Sequence, residues 1–276
     1  MTENHDQRIY SSKIIKASGL LADTKTLFAF WDESKSVEEN LREARRANIF
    51  GKASRSRVED ILAIFRQRYC PDNGSDAAPR QARDAALRRL VRSGLPAEIV
   101  DRVLYYYAAL ADPLIYDFVT QYLYDLYKRG RHVITVEDAS EFLRDAIANG
   151  QTTTPWSTTT RERVAQHLLA TLRDFRVLQG ARGSPRKTFA PTHLPVEAFL
   201  YIAFDIHRAV ASGERLLRHP HWRLFLLDLD AVERLFVEAH QLGYLRYQAA
   251  GSLIRIEFPY RDLLGLVDAL VERWQM

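Results

Sequence analysis

Apolar residues recur at helical spacing through most of this chain. Within residues 48–69, NIFGKASRSRVEDILAIFRQRY, the residues Val58, Ile61, Leu62, Phe65 and Tyr69 share one stripe and predict a helix buried along it. Ser56, followed three positions later by Glu59, predicts a capping box at its start. The same periodicity runs from residue 18 to about 149. It is broken at Gly51, at 71–79, at 94–96, near Pro113 and at Gly130, which leaves room for five or six helices. The break CPDNGSDAAP has the Pro, Gly, Asn and Asp content of a turn and predicts a connection between two helices of one bundle. Tyr105, Tyr106, Tyr107, Tyr116, Tyr122, Tyr124 and Tyr127 intermix with Leu104, Leu110, Ile115, Phe118, Leu123 and Leu126, so packing, rather than base stacking, is their expected use.

The segment VITVEDASEFL predicts a short apolar entry and then a helix capped by Thr135 or Asp138, ending near Asn149 and Gly150. The polar connector QTTTPWSTTT then sets the expected division into an all-helical bundle, 1–150, and a smaller mixed domain, 151–276, with Trp156 as a possible anchor for the connector. Thr159 and Glu162 predict another capping box, with Val164, Leu168, Leu172 and Phe175 as the buried stripe of the helix that follows. Residues 177–179 and 188–190 can pair across a tip that contains Arg182, Gly183, Ser184, Pro185, Arg186 and Lys187. A helix followed by a basic-tipped hairpin is a winged-helix-like arrangement. A second helix and hairpin follow: Asp230 with Glu233 at the start, Val232, Leu235, Phe236 and Ala239 inward, Gly243 at the end, then strands at 244–248 and 253–258 turning at 249–252. A closing helix over 260–274 would face Leu263, Leu266, Val267, Leu270 and Trp274 inward. This second unit lacks a basic tip, which predicts a structural or protein-binding role. The expected fold class is therefore mainly α, of the α+β type.

Charge changes the picture. The net +4 conceals two basic windows: residues 42–92 hold 13 Lys/Arg against 6 Asp/Glu, and residues 161–187 hold 7 against 2. The remainder carries 19 basic and 27 acidic residues, so local patches suited to a polyanion sit in a weakly acidic whole. Phosphate backbones are held by positioned Arg and Lys. The candidate contacts are Lys52, Arg55, Arg57, Arg66 and Arg68 on the first helix, Arg161, Arg163, Arg173 and Arg176 on the second, and Arg182, Arg186 and Lys187 at the hairpin tip.

Catalytic signatures are absent: there is no Gly-rich phosphate loop, no GxSxG elbow and no HExxH. His219 and His221, around Pro220, read as a turn before Trp222 more readily than as metal ligands. Asp228 and Asp230 imitate a carboxylate pair, but Asp230 is the expected helix cap. Cys70 is the only cysteine, which excludes an intrachain disulfide and a cysteine-rich zinc site and fits a reducing cytoplasm. No enzyme activity, metal or cofactor is expected. The start MTENHDQRIYSS has no apolar run behind a basic segment, and the apolar stretches 103–116 and 196–206 are shorter than the roughly 20 residues of a membrane span and contain carboxylates. A cytoplasmic protein with no membrane partner is expected.

Three segments, GLLADTKTLFAFWDES, NIFGKASRSRVEDILAIFRQRY and the Tyr-rich stretch ending YDFVTQYLYDLYKRG, together resemble the BrxA family of the bacteriophage exclusion (BREX) defence systems, over most of the chain. The family was once labelled an inner-membrane protein of unknown function, a label at odds with the missing span. The resemblance implies an N-terminal bundle similar to the antitermination factor NusB, a mixed C-terminal domain, double-stranded DNA binding and no catalytic residues. The combined expectation is a non-enzymatic, mainly sequence-independent DNA-binding component of phage defence that contacts phosphates through the basic helix and hairpin, with other BREX proteins as further partners. The alternatives are an adaptor that docks on a larger methyltransferase or ATPase of the system, served by the second helix and hairpin, and an RNA-binding NusB-like factor.

Overall fold

A computed structural model describes residues 8–275 except 17, 71–76, 211 and 252, with side chains described outside 77–82. A 3-10 turn, Ser12–Lys16, leads into α1 (Leu21–Phe30), α2 (Val37–Ala47), α3 (Arg55–Tyr69), α4 (Ala77–Val91) and α5 (Ala97–Leu110). One continuous helical run follows: α6 (Pro113–Asp117), a π-helical segment Phe118–Leu123, and α7 (Tyr124–Lys128). Next come β1 (Val133–Thr135), α8 (Val136–Ala148), α9 (Thr158–Asp174), β2 (Leu178–Gln179) and β3 (Arg186–Phe189). The chain ends with α10 (Val196–His207), α11 (Gly213–Leu217), a 3-10 turn Pro220–Phe225, α12 (Leu229–Gln241), the ribbon β4 (Arg246–Ala250) and β5 (Leu253–Glu257), and α13 (Leu263–Gln275). The fold is mainly α with small antiparallel strands, as the periodicity predicts. Most of the expected loop at 70–79 falls outside the described residues, and α4 begins inside its last part, with Pro79 in the first turn, where a missing N–H is tolerated.

The expected stripes are buried. Val58, Ile61, Leu62, Phe65 and Tyr69 line the inner side of α3, and Val164, Leu168 and Leu172 that of α9. Tyr105, Tyr106, Tyr107 and Tyr116 are buried in the core, and Tyr122, Tyr124 and Tyr127 pack at its edge. Three helices start two residues earlier than the capping boxes imply. Ser54 caps α3 by accepting from Arg57 N, Ser157 caps α9 by accepting from Thr160 N at 3.2 Å, and Asp228 caps α12 by accepting from Ala231 N at 3.0 Å. Each earlier cap admits two more residues to the helix and frees the later Ser, Thr or Asp. Thr135 and Asp138 do form the reciprocal box at the start of α8. Trp274 is a correction: it lies past the last buried turn of α13 and is 55% exposed.

The short apolar entry at 133–135 is a strand. β3 pairs antiparallel with β1 on one side, Val133 opposite Thr188, and with β2 on the other, Leu178 opposite Phe189. The sheet order is therefore β1-β3-β2, and it joins residues from both sides of the connector at 151–157. Trp156 is buried, and one apolar core runs through both halves. The start of the described chain also binds the connector: Tyr10 N donates to Gln151 O at 2.7 Å and Thr153 N to Tyr10 O at 3.0 Å, while Tyr10 Oη and Arg8 Nη1 donate to buried Asp117 at 3.0 and 2.9 Å.

The C-terminal end of α9 is held from the bundle. Arg102 Nη1 on α5 lies 3.3 Å from both the Phe175 and Arg176 carbonyls. Arg68 on α3 stacks its guanidinium 5.6 Å from the Phe175 ring centre and donates to the Ser18 and Gly19 carbonyls at 3.1 and 2.9 Å. Gly19 N in turn donates to Asp174 Oδ2 at 3.2 Å, and a Cβ at position 19 would stand 2.7 Å from Asp174 Cβ, so only glycine fits this approach. Arg68 and Arg102 are 5% and 7% exposed, and neither ion-pairs with a carboxylate among the described residues. Cations at a helix C-terminus meet the negative end of its dipole, and carbonyl bonds replace their lost water. Arg68 is thus corrected from a surface contact to a buried brace: a side chain at the edge of the stripe turns inward because two orphan carbonyls and a ring wait there. Arg68→Met should leave those carbonyls unpaired and cost about 2–3 kcal/mol. Urea midpoints would read this, with Arg55→Ala, at an exposed site, shifting stability by less than about 0.5 kcal/mol.

Candidate nucleic-acid interface

The two basic windows, about a hundred residues apart in sequence, meet in space. A cleft of about 750 Å³ opens between α9, the 3-10 turn Ser12–Lys16, the first turn of α3 and the β2–β3 tip. Lys16, Arg57, Arg173 and Arg182 line it, with His167 on its wall and Ile15, Leu169 and Ala170 as apolar floor. Arg57 donates to the Lys16 carbonyl, which fixes the turn to α3. Arg173 is held on its neighbour Asp174 at 2.5 Å, and Lys16 lies 3.2 Å from Asp60, so part of the positive charge is internally balanced. Burial, and then the cations Arg163 and Arg57, hold the His167 pKa below the ordinary imidazole value, so the ring is neutral at pH 7.

The other expected contacts divide by surroundings. Arg163, Arg176, Arg182 and Arg186 are exposed, Arg176 at a left-handed backbone position with φ of 58°. Arg55 is exposed beside Glu59 at 3.5 Å. Lys52 reaches back to Asp23 on α1 at 2.9 Å, and Arg161 Nε donates to Ser140 Oγ at 3.0 Å, tying α9 to α8. Arg66 pairs with Glu38 at 2.9 Å and lines a neighbouring cleft of about 380 Å³ with Lys13, Gln67 and the same Lys16. Lys187 is a second correction. Its side chain is 3% exposed and folds under the tip, where Nζ donates to the Ala181 and Ser184 carbonyls at 2.8 and 2.7 Å. Those carbonyls turn inward in the tight loop, so the ammonium shapes the tip and leaves Arg182 and Arg186 as its exposed cations. Sequence reasoning missed Lys13, Lys16 and His167. The spacing Lys13–Lys16 in SSKIIK was the one available signal, and it lies outside both basic windows.

Other chemistry-bearing groups are committed to structure. His219 Nδ1 accepts from the His221 backbone N–H at 3.4 Å, and His221 Nδ1 is hydrogen-bonded to Tyr106 Oη at 3.1 Å, packed edge-on to the Tyr106 and Tyr116 rings. Among the described residues no group of three or more His, Cys, Asp or Glu is placed to hold a metal. Asp228, the α12 cap, lies 3.6 Å from Lys128. Burial pushes the Cys70 thiol up to about 12, far from a reactive thiolate. No described helix is long and apolar enough to cross a membrane.

Burial, with His219 and Arg8 nearby, pushes His221 down to about 3. The unfolded chain protonates this ring near 6.5 and the folded chain does not, so stability is lost as pH falls below 6.5. Between pH 7 and pH 5 the loss from this one ring should be on the order of 2 kcal/mol. His221→Gln, which keeps an acceptor for Tyr106, should remove that part of the pH dependence in paired urea melts.

Compared with known proteins, residues 8–205 match the BrxA family model. No curated protein matches the chain.

Proposed function

The chain belongs to the BrxA family and is thus a component of a BREX phage-defence system; within it, we propose, the protein is a non-enzymatic binder of double-stranded DNA that seats a phosphate backbone in the cleft between α9, α3 and the β2–β3 tip. The observation that carries this reading is the convergence of Arg57 with Arg173 and Arg182. Two basic segments distant in sequence line one open cleft, the arrangement that a polyanion track needs. The element order supports a winged-helix reading of this part: a helix (113–128), β1, α8, α9, then β2 and β3 with sheet order β1-β3-β2, so α9 stands where a groove-entering helix would and the β2–β3 tip where a wing would. On this reading the winged unit starts before the connector at 151–157, not after it. The half-apolar, carboxylate-bearing face of α12, with Asp230, Val237, Glu238 and Leu242 exposed, suits a protein partner and would serve the adaptor role alongside DNA binding.

About five cations, Lys16, Arg57, Arg173, Arg182 and Arg186, are placed to engage. The log–log dependence of affinity on salt should then have a slope of about −4.5. Changing Arg57, Arg182 and Arg186 to Ala should flatten it to about −2 without loss of fold. A salt titration with a labelled random-sequence duplex reads this, and a matched RNA duplex as competitor separates DNA from RNA. An unchanged slope in the variant would remove the cleft from the site, and negligible binding of any duplex would leave the adaptor role alone.

A further inference from the structure

Building on the duplex reading, we infer that α9 also reads base edges, through an exposed row formed by Thr159, Glu162, Arg163 and Gln166. These four residues fall on one side of the helix, opposite buried Val164, Leu168 and Leu172. From Thr159 to Gln166 the row rises about 10 Å, the length of roughly three base-pair steps. Thr159 and Glu162 are free for this because the helix is capped by Ser157 instead, and all four side chains are exposed with no hydrogen-bond or ion-pair partner among the described residues.

The contrast with the cleft separates two tasks. Lys16, Arg57 and Arg173 are cations restrained by protein groups, which suits a fixed phosphate track. The α9 row is chemically mixed. Glu162 would oppose a phosphate, yet a carboxylate accepts from the cytosine amino group; Arg163 matches the two acceptors of guanine, Gln166 the acceptor and donor of adenine, and Thr159 the thymine methyl. The positions are also complementary. The cleft lies on the C-terminal half of α9, from Gln166 to Asp174, so Thr159, Glu162 and Arg163 stand outside it and Gln166 marks where the two surfaces join. A duplex backbone lying in the cleft would bring an adjacent groove over the row. Binding is then sequence-selective at about three positions, beyond the sequence-independent phosphate term.

Selection from a random-sequence duplex library, followed by affinities for the enriched and a scrambled duplex, tests this. The intact protein should enrich a short motif. Arg163→Ala and Gln166→Ala should each erase the preference at one position, lowering affinity for the enriched duplex by about 5- to 150-fold while the scrambled duplex changes far less. Glu162→Gln should alter the preference at a cytosine. All three sites are exposed, so thermal melts should be unchanged. Salt-steep binding with a uniform selected pool would overturn base reading and leave the phosphate track standing; no duplex binding at all would remove the duplex reading and this inference with it.

Discussion

The placement of α9 depends on how its C-terminal end is held. Helices end with unsatisfied carbonyls and a negative dipole, and here those groups are met by buried arginines that come from other helices. Arg102 reaches the carbonyls directly, and Arg68 braces Phe175 while gripping the Ser18–Gly19 backbone, which in turn bonds Asp174. The 3-10 turn, the first turn of α3 and α9 are thereby fixed to one another. These three elements form three sides of the cleft, and the β2–β3 tip closes the fourth. Interactions between buried cations and carbonyls are costly to assemble and more costly to leave half made, so the geometry tolerates little drift.

Within the cleft, most cations already have a protein partner. Asp60 holds Lys16, Asp174 holds Arg173, and the Lys16 carbonyl holds Arg57. Such pairs at a partly exposed surface are worth little to stability, but they restrict rotamers, so less conformational entropy is lost when an anion replaces the carboxylate. The exposed residues Arg182 and Arg186 have no such restraint and stand on a tip whose shape is set from beneath by Lys187. The cleft thus carries two kinds of cation, restrained ones along its walls and unrestrained ones at the tip.

Much of this fold was legible because apolar spacing reports burial. The stripes of α3 and α9, the β2–β3 pairing, the box at Thr135 and the packed tyrosines follow from local pattern. Three kinds of information were not local. Two adjacent candidate caps, such as Ser157 and Thr159, cannot be ranked by sequence when each offers an oxygen at the right spacing; the longer helix won each time. β1 is three residues long and pairs with a strand more than fifty residues away, so no hairpin signal marks it. Arg68 and Lys187 read as surface cations because charge predicts exposure, and only the position of orphan carbonyls reveals that they are buried. The candidate site was half visible: its arginines lay in the two basic windows, but their meeting, and the part played by Lys16, needed the fold.

The last helix packs on α4, with Arg89 and Asp268 joined at 2.8 Å across the contact, so a bundle begun with α1 is completed by the final residues described. Arg89 and Asp268 are 179 positions apart, so α4 leaves the ribosome well before the helix that packs on it. The apolar side of α4 around Leu87 and Leu90 is thus made long before the helix that packs on α4, and native closure is a late, long-range event of folding. The N-terminal helices serve as a scaffold that stays open along α4 until α13 is made, so the time to a closed bundle is set by the synthesis of the residues between them.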